Sequence, residues 1–205
     1  IVVRDSIDLQ LIATTVEGSL SGPALDIDNS GNLFPGIVIL DDIAIHSPSS
    51  NYSIRLKGVD AEIHGLDLSG GGGGMYWEAK GSLPSRISNS VIWDSSSNCL
   101  DLDSHTELIA DGVSLICDAL PQIDHSSVNF TDSSLTKRSG SPSTFSLNTS
   151  SHLRWISSGN ILTPENSEDD VIVDVMWMVD VHTINQNHLN IPLASVNISF
   201  QEFES

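Results

Sequence analysis

The feature that most constrains this chain is an internal repeat of about twenty-three residues, a period typical of stacked repeat architectures. Its clearest copy is 98–122, NCLDLDSHTELIADGVSLICDALPQ. Leu100 and Leu102 alternate with polar residues in the first half, and Val113 and Leu115 do so in the second half. Because alternation buries one face of a strand and leaves the other in water, each half is predicted to be a short strand.

Two series of residue pairs carry this period along the chain. The pairs that match Leu100/Leu102 are Leu25/Ile27, Ile54/Leu56, Trp77/Ala79, Ile123/His125 and Phe145/Leu147. The pairs that match Val113/Leu115 are Ile43/Ile45, Leu66/Leu68, Val91/Trp93, Val128/Phe130 and Leu153/Trp155, with one coil shortened before Val128. One coil cannot bury its apolar face alone, so the sequence predicts coils of two strands that stack around a shared core.

The double series resembles the right-handed parallel β-helix, the pectate-lyase-like superfold of secreted and cell-surface proteins, over about 19–159. The resemblance implies an all-β solenoid. It implies little about chemistry, because this fold hosts lyases, hydrolases, epimerases, adhesins and phage fibres. An antiparallel sandwich, which also has many short strands, is the alternative fold. We predict a right-handed parallel β-helix over 1–160, including an N-terminal cap.

The pattern changes after residue 160. Residues 161–170 contain Pro, Asn, Ser and an acidic run, which is typical of a linker. Two strand-like runs follow, and VDVHTINQNHLNIPLASVNISF (179–200) resembles the opening hairpin of an immunoglobulin-like, carboxypeptidase-regulatory-like domain. Two strands cannot form a sandwich alone. Residues 171–205 are therefore predicted to form a C-terminal β-hairpin, a partial β-sandwich or inter-subunit strands.

Charge excludes two classes of partner. The chain has 27 acidic and 8 basic residues, and its net charge is −19. It has no basic patch to neutralise phosphates, so nucleic acid is not expected as a partner. An anionic membrane surface is disfavoured for the same reason. No apolar run approaches the length of a membrane span, so no membrane insertion is expected.

The composition favours an extracellular or cell-surface location. The chain has few lysines and carries four glycosylation sequons, at Asn51, Asn129, Asn148 and Asn197. Sequons also arise by chance in a Ser-rich sequence, so this alternative stays open. The chain starts IVVRDS, without Met or a signal peptide, which we interpret as a mature product or a fragment of a longer protein.

Cys99 and Cys117 are the two cysteines of the chain, and both fall in one predicted coil. They are either small buried apolar residues or a disulfide, which would fit an oxidising compartment. A metal site at these cysteines is not expected, because no His pair lies near them in the sequence.

Stacked carboxylates are the main candidate for a functional site. Outward side chains of successive coils lie about 4.8 Å apart, which would bring Asp101, Asp103 and Asp124 together. Three carboxylates within reach could bind Ca²⁺, or two of them could act as acid and base in glycoside hydrolysis. We favour instead a charge ladder, in which basic residues relieve carboxylate repulsion between coils. The basic residues predicted for this ladder are Arg55, Lys57 and Lys80.

The resemblance to polysaccharide-active β-helix enzymes is incomplete. Polygalacturonase-like members use Asp-Asp, His-Gly and Arg-x-Lys in that order. Here Asp41-Asp42 is followed by Arg55-Leu56-Lys57 and only then by His64-Gly65, and the Asn-Thr-Asp element is missing. The tryptophans Trp77, Trp93 and Trp155 fall on predicted inward positions, so they are expected in the core. Catalysis is therefore not expected.

The sequence as a whole predicts a non-catalytic structural or adhesive module of an extracellular surface protein or filament. No cofactor is expected unless calcium binds the carboxylates. Strand-like segments at 1–11 and 171–203 suggest self-association or contact with neighbouring domains of a longer chain, since proteins usually cover or pair strand edges. The alternatives are a polysaccharide lyase, a glycoside hydrolase or a carbohydrate-binding module.

Overall fold

A computed structural model gives the fold, and it describes residues 1–5, 8–18, 21–32, 37–47, 52–69, 74–81, 83–93, 99–137, 144–156 and 170–176. The strands of this part are β1 (Val2–Arg4), β2 (Asp8–Glu17), β3 (Leu25–Asp28), β4 (Ile37–His46), β5 (Ile54–Lys57), β6 (Asp60–His64), β7 (Asp67–Ser69), β8 (Met75–Glu78), β9 (Ser85–Ser88), β10 (Val91–Trp93), β11 (Leu100–Asp103), β12 (Leu108–Asp111), β13 (Ser114–Cys117), β14 (Gln122–Asp124), β15 (Ser127–Thr131), β16 (Ser134–Lys137), β17 (Ser146–Leu147), β18 (His152–Ile156) and β19 (Ile172–Met176). The described residues form no helix, so they include none that could cross a membrane.

The strands stack in parallel as a β-helix with three ladders. Sheet S1 contains β1, β3, β5, β8, β11, β14 and β17. Sheets S2 and S3 are joined by the long strand β4, whose first half pairs with β6 and whose second half pairs with β7. S2 continues through β9, β12, β15, β18 and β19, and S3 continues through β10, β13 and β16. The predicted parallel β-helix is therefore confirmed.

Each regular coil has three strands, so the prediction of two strands was wrong. The coil that contains β11 and β13 also contains β12, which lies where the sequence indicated only a turn. Leu108 and Ala110 of β12 are buried in the core. The strand escapes detection because Leu108, Ile109 and Ala110 are consecutive apolar or small residues, which hides the alternation.

The first predicted series is shifted by two residues in two coils. Leu102 pairs with Trp77 on one side and with Ile123 on the other, so Met75/Trp77 replaces the predicted Trp77/Ala79. His125 was predicted to point inward, and it is instead exposed beyond the end of β14. A uniform period places these pairs incorrectly because the turns between strands differ in length from coil to coil.

The second predicted series mixes S3 with S2. Val128 and Phe130 pair with Leu108 and Ala110 in S2, and they are not the next coil after Val113/Leu115. The S3 strand that follows Leu115 contains Leu135. No coil is shortened at this point, and the apparent short step came from counting two ladders as one.

Trp93 points outward, which corrects its predicted place in the core. Ile92 is the buried residue of β10, while Val91 and Trp93 are exposed. The parity changes because Ser90 occupies the inward corner before the strand. Its hydroxyl donates to the Ser88 carbonyl (2.7 Å) and accepts from the Leu66 amide (3.1 Å).

One continuous apolar core runs through the coils. Leu100, Leu102, Val113 and Leu115 are all buried in it, as predicted. Full burial of one such side chain contributes about 1.5–3 kcal/mol, so stacking supplies most of the driving force for folding. Near the C-terminal coils the core is aromatic. There Phe130 packs against two rings at centroid distances of 5.3 Å, and these rings belong to Phe145 and Trp155.

One corner of the coils repeats a left-handed backbone conformation. The residues there are Asp42 (φ 50°), Gly65 (62°), Asn89 (47°), Gly112 (62°) and Asp132 (48°). Gly, Asn and Asp tolerate this conformation better than other residues. A Cβ on Gly65 would lie 2.5 Å from Asp42 Oδ1, and one on Gly112 would lie 3.1 Å from Asn89 Oδ1. Glycine therefore alternates with Asn or Asp because each side chain fills the space beside the next coil.

A histidine is buried at another corner. His105 is 2 % exposed, and its Nε2 lies 3.1 Å from the Trp77 carbonyl oxygen, to which it donates. The ring meets Trp77 edge-on at a centroid distance of 4.7 Å. Its Nδ1 has no hydrogen-bond partner in the part of the chain that the structure describes. Burial lowers the pKa of His105 to about 4, although the bond to Trp77 and the charge of Asp103 oppose this.

The C-terminal segment begins inside the β-helix sheet. β19 pairs in parallel with β18 over five residues, from His152↔Ile172 to Ile156↔Met176. Residues 157–169 and 177–205, which hold most of the predicted linker and the predicted hairpin, lie outside the described residues.

The corner with the left-handed backbone conformation predicts the effect of Gly65→Ala. We expect a loss of about 1–2 kcal/mol in the free energy of unfolding from the left-handed backbone alone, with a further loss from the contact with Asp42. Urea denaturation should show the further loss in the wild-type background and not in an Asp42→Gly background. Gly22→Ala is a control for strain alone, because its φ is +89° and its Cβ would meet nothing within 4 Å. Equal costs for Gly65→Ala in both backgrounds would contradict the model of a filled corner.

Burial of His105 predicts acid sensitivity. The folded protein holds the ring neutral, whereas the unfolded chain takes up a proton below about pH 6.5. Stability should therefore fall as the pH drops from about 6.5 towards 4, by about 3 kcal/mol over that window. His105→Gln retains a donor and does not titrate, so the free energy of unfolding of this variant should depend less on pH in this window. Parallel curves for the two proteins would exclude the histidine as the cause.

Candidate functional site

The outer face of S1 carries the carboxylates that the sequence singled out. Two columns of outward side chains run along it, each formed by residues in register on successive strands. The first column is Val2, Asp26, Arg55, Tyr76, Asp101, Gln122 and Ser146. The second column is Arg4, Asp28, Lys57, Glu78, Asp103 and Asp124.

The N-terminal part of this face is a charge ladder. Asp26 Oδ2 lies 2.6 Å from Arg4 Nη2, and Asp26 Oδ1 lies 2.8 Å from Arg55 Nε. Arg55 Nη2 also reaches Asp28 Oδ2 at 3.9 Å. Burial alone would raise the pKa of Asp26, but the hydrogen bonds from both arginines outweigh it, so this pKa is lowered. These pairs join three successive coils.

Lys80 does not belong to the ladder, contrary to the prediction. Its Nζ donates to the Asn32 carbonyl oxygen at 2.7 Å. Glu78 takes the place beside Lys57, because β8 is shifted by two residues from the predicted register. The C-terminal half of the face therefore gains a carboxylate where a cation was expected.

Two tyrosines bind carboxylates of the acidic half, by which we mean the C-terminal part of this face with Glu78, Asp101, Asp103 and Asp124. Tyr52 Oη donates to Asp101 Oδ2 at 2.6 Å, and Tyr76 Oη donates to Glu78 Oε2 at 2.9 Å. The two rings lie 5.6 Å apart between centroids. Burial raises the pKa of both phenols, and the hydrogen-bonded carboxylates raise it further. Neither tyrosine was predicted as a site residue, since only the tryptophans were candidates for an exposed aromatic group. The outward parity of Tyr76 in the corrected register would have identified that residue.

Asp101 is a half-buried carboxylate in the C-terminal half of this face. Burial raises its pKa, and the negative charges of Asp103 and Asp124 add to the effect. The hydrogen bond from Tyr52 lowers it in part. The three predicted carboxylates are thus near one another, but Asp101 is bound to Tyr52.

Asp103, Asp124 and His125 form a closer group. One ligand atom from each lies within 4.8 Å of the others. Asp103 and Asp124 are in register on adjacent strands, and Asp124 Oδ1 lies 3.0 Å from His125 Nδ1. Calcium takes six to eight oxygen ligands, so two carboxylates and an imidazole fit it poorly. Calcium binding at Asp101, Asp103 and Asp124 stays a prediction.

The sequence elements that resemble polygalacturonase do not converge on one sheet. Asp41, Asp42 and His64 lie together, with one ligand atom from each within 4.8 Å of the others. Arg55 and Lys57 lie in S1, whereas Asp41 and His64 pair within S2. An arrangement that needs all of these groups around one sugar is therefore not assembled by these strands.

The cysteines are joined by a disulfide, Cys99–Cys117, with a Cα–Cα distance of 5.4 Å. Both are buried, and the bridge connects the beginning of β11 to the end of β13 within one coil. Among the sequons, Asn129 lies on β15 and Asn148 directly after β17, and both are half-buried. Asn51 and Asn197 lie outside the described residues.

A cavity of about 380 Å³ lies on the outer side of S2. Asp60, which is 1 % exposed, builds one wall of it by accepting backbone hydrogen bonds from Lys80, Gly81 and Leu83 at 3.0–3.1 Å. The other lining residues include the apolar Ile37, Leu83 and Ile109 and the charged Glu62 and Arg86. No sequence pattern indicated this cavity, because its walls come from four successive coils.

Comparisons of the chain with protein-family models, with curated proteins and with solved structures found no match. The parallel β-helix therefore rests on the strand pairing itself. The resemblance to pectate-lyase-like enzymes and to an immunoglobulin-like hairpin stays a prediction.

Proposed function

We propose that the chain is a non-catalytic structural module of an extracellular surface protein or filament. The observation that carries this proposal is the use of the polar side chains on S1. They bind one another between coils: Arg55 holds Asp26, and Tyr52 holds Asp101 across the intervening coil of Tyr76. Side chains that bind one another between coils stabilise the stack of coils, and the same side chains are less available to bind a substrate.

The disulfide and the glycosylation sequons support an extracellular location. A buried disulfide persists in oxidising compartments and is rare in the reducing cytosol. A bridge that closes a loop of this length, with a sequence separation of 18, contributes about 3 kcal/mol to stability. Glycans on Asn129 or Asn148 would fit the same location, since both side chains lie at least partly at the surface.

An open strand edge supports assembly with a second copy. β2 is ten residues long and pairs with β4 along one edge, and no described strand pairs with its other edge. Ile12 within it is exposed, and so are Ile1 and Val2 at the start of S1. Long unpaired edges recruit further strands, which suits a subunit of a filament.

The runner-up function is a polysaccharide lyase or glycoside hydrolase. The observation that favours it is the raised pKa of Asp101, which lies beside Asp103 and Asp124 and is hydrogen-bonded to Tyr52, whereas Asp124 lies beside His125. Carboxylates with different environments are the usual basis of acid and base roles in glycosidases. The bond from Tyr52 to Asp101 favours the structural role, because it holds this carboxylate in place within the sheet.

Two enzyme assays discriminate between these functions. We expect the purified chain to form neither unsaturated products nor new reducing ends from polygalacturonate, with or without 2 mM Ca²⁺, because no complete catalytic set converges on S1. Ca²⁺ should leave the melting temperature unchanged within error. Product formation by the wild type that disappears in Asp103→Asn would establish the enzyme and overturn the structural proposal.

The structural proposal also predicts an effect of Tyr52→Phe. Loss of this hydroxyl leaves the partly buried Asp101 without its donor, so we expect a loss of about 1–3 kcal/mol in the free energy of unfolding, measured with urea. Tyr76→Phe is the matched control, because its hydroxyl binds Glu78 within the same strand. Equal and negligible effects for both variants would show that the bond between coils does not stabilise the stack of coils.

The open edge of β2 predicts self-association. We expect the isolated chain to sediment as a species larger than a monomer in 0.5 M NaCl, where repulsion between chains of net charge −19 is screened. Gly18 N–H donates to the His46 carbonyl on β4, so by alternation the Thr15 N–H faces the open edge. Thr15→Pro should therefore reduce association, whereas Thr15→Val, which retains the N–H, should not. A monomer at all concentrations, or equal association of both variants, would contradict assembly through this edge.

A further inference from the structure

The outer face of S3 differs in chemistry from that of S1. Two columns of outward side chains run along it in register. The first is Ala44, Asp67, Val91, Ser114 and Ser134, and the second is His46, Ser69, Trp93, Ile116 and Thr136. Asp67 is the one carboxylate among these residues, and the exposed Glu17 of β2 adjoins them in register with His46. We call this set the neutral face.

Trp93 is the main apolar group of the neutral face. Its side chain is 47 % exposed, whereas Trp77 and Trp155 are fully buried in the core. The adjacent Val91 is 40 % exposed, and Ile116 is half-buried in register with Trp93 on the next strand. Exposed aromatic surface is a feature of binding sites, because its burial by a ligand is favourable.

Hydroxyl groups flank this apolar strip. Ser69 Oγ lies 2.7 Å from His46 Nδ1, and Ser134 Oγ donates to Ser114 Oγ at 3.3 Å. Thr136 lies beyond Ile116 and is exposed. A hydroxyl has one donor and two acceptor lone pairs, so each of these groups keeps hydrogen-bonding capacity beyond its bond between coils, unlike the paired carboxylates of S1, and can bind the hydroxyls of a ligand.

We propose that the neutral face binds an uncharged polysaccharide, with one sugar ring stacked on Trp93. The C–H face of a pyranose would cover Trp93 and Val91, and its equatorial hydroxyls would meet the serine and threonine hydroxyls on the neighbouring strands. The two columns contain no lysine or arginine, and the carboxylates of Asp67 and the adjoining Glu17 would repel an acidic sugar, so a neutral sugar is favoured. The site is separate from S1, so the proposal does not depend on the role of the carboxylates there.

Affinity electrophoresis and calorimetry with neutral oligosaccharides test the proposal. The probes are hexaoses of β-1,4-linked glucose, β-1,4-linked mannose and α-1,4-linked glucose, with oligogalacturonate as the charged comparison. We expect at least one neutral hexaose to bind and to reduce quenching of tryptophan fluorescence by acrylamide. Trp93→Ala should weaken this binding at least tenfold, and Trp93→Phe should weaken it less.

The control variant is Leu83→Ala, which removes an exposed apolar side chain (41 %) outside the neutral face. It should bind the hexaose as the wild type does. Trp93 is outside the core, so Trp93→Ala should unfold at nearly the wild-type urea concentration. Binding that survives in a folded Trp93→Ala variant would overturn the assignment to this face. Failure of the folded wild type to bind any of the neutral hexaoses, or tighter binding of oligogalacturonate, would overturn the proposal itself.

Discussion

In-register parallel stacking is the constraint on which the rest of this structure depends. Each residue has a counterpart about 4.8 Å away on the coil before and on the coil after, because the backbones are hydrogen-bonded at that spacing. Inward positions must therefore be apolar in every coil, and outward charges must be compatible with their neighbours. Asp26 between Arg4 and Arg55 meets this requirement by opposite charge. Asp101 meets it by a neutral donor, Tyr52.

The corners of the coils meet the same constraint through backbone conformation and small polar side chains. Alternating glycine and Asn or Asp fill the left-handed corner, so a side chain occurs only where the neighbouring coil leaves room for it. Serine hydroxyls satisfy amides that the turns leave unpaired. Ser126, for example, accepts from the His105 amide at 3.0 Å and donates to the Asp124 carbonyl at 2.6 Å. The turns can therefore vary in length while the strands keep their register.

The sequence predicts the repeat and the core well, and the register less well. Leu100, Leu102, Val113 and Leu115 were identified as core residues because alternation is a direct consequence of one buried face. β12 was missed because its apolar residues are consecutive. The orientation of Trp93 was mistaken because one corner serine, Ser90, changes the parity of the following strand. Asp103 and Asp124 were placed together correctly, whereas Tyr52 was overlooked because its partner is two coils away and no local pattern records that distance.

The sheets S1 and S3 use their outward positions differently. On S1, charges and phenols are used between coils, and changing one of them affects the stability of its neighbours. On S3, Trp93 is half-exposed while the adjacent Ile92 is buried in the core. Because alternation assigns Ile92 to the core and Trp93 to the surface, the surface residue can be chosen for a ligand independently of the fold. The separation of the buried from the exposed side of each strand follows from the period-two geometry of the strand.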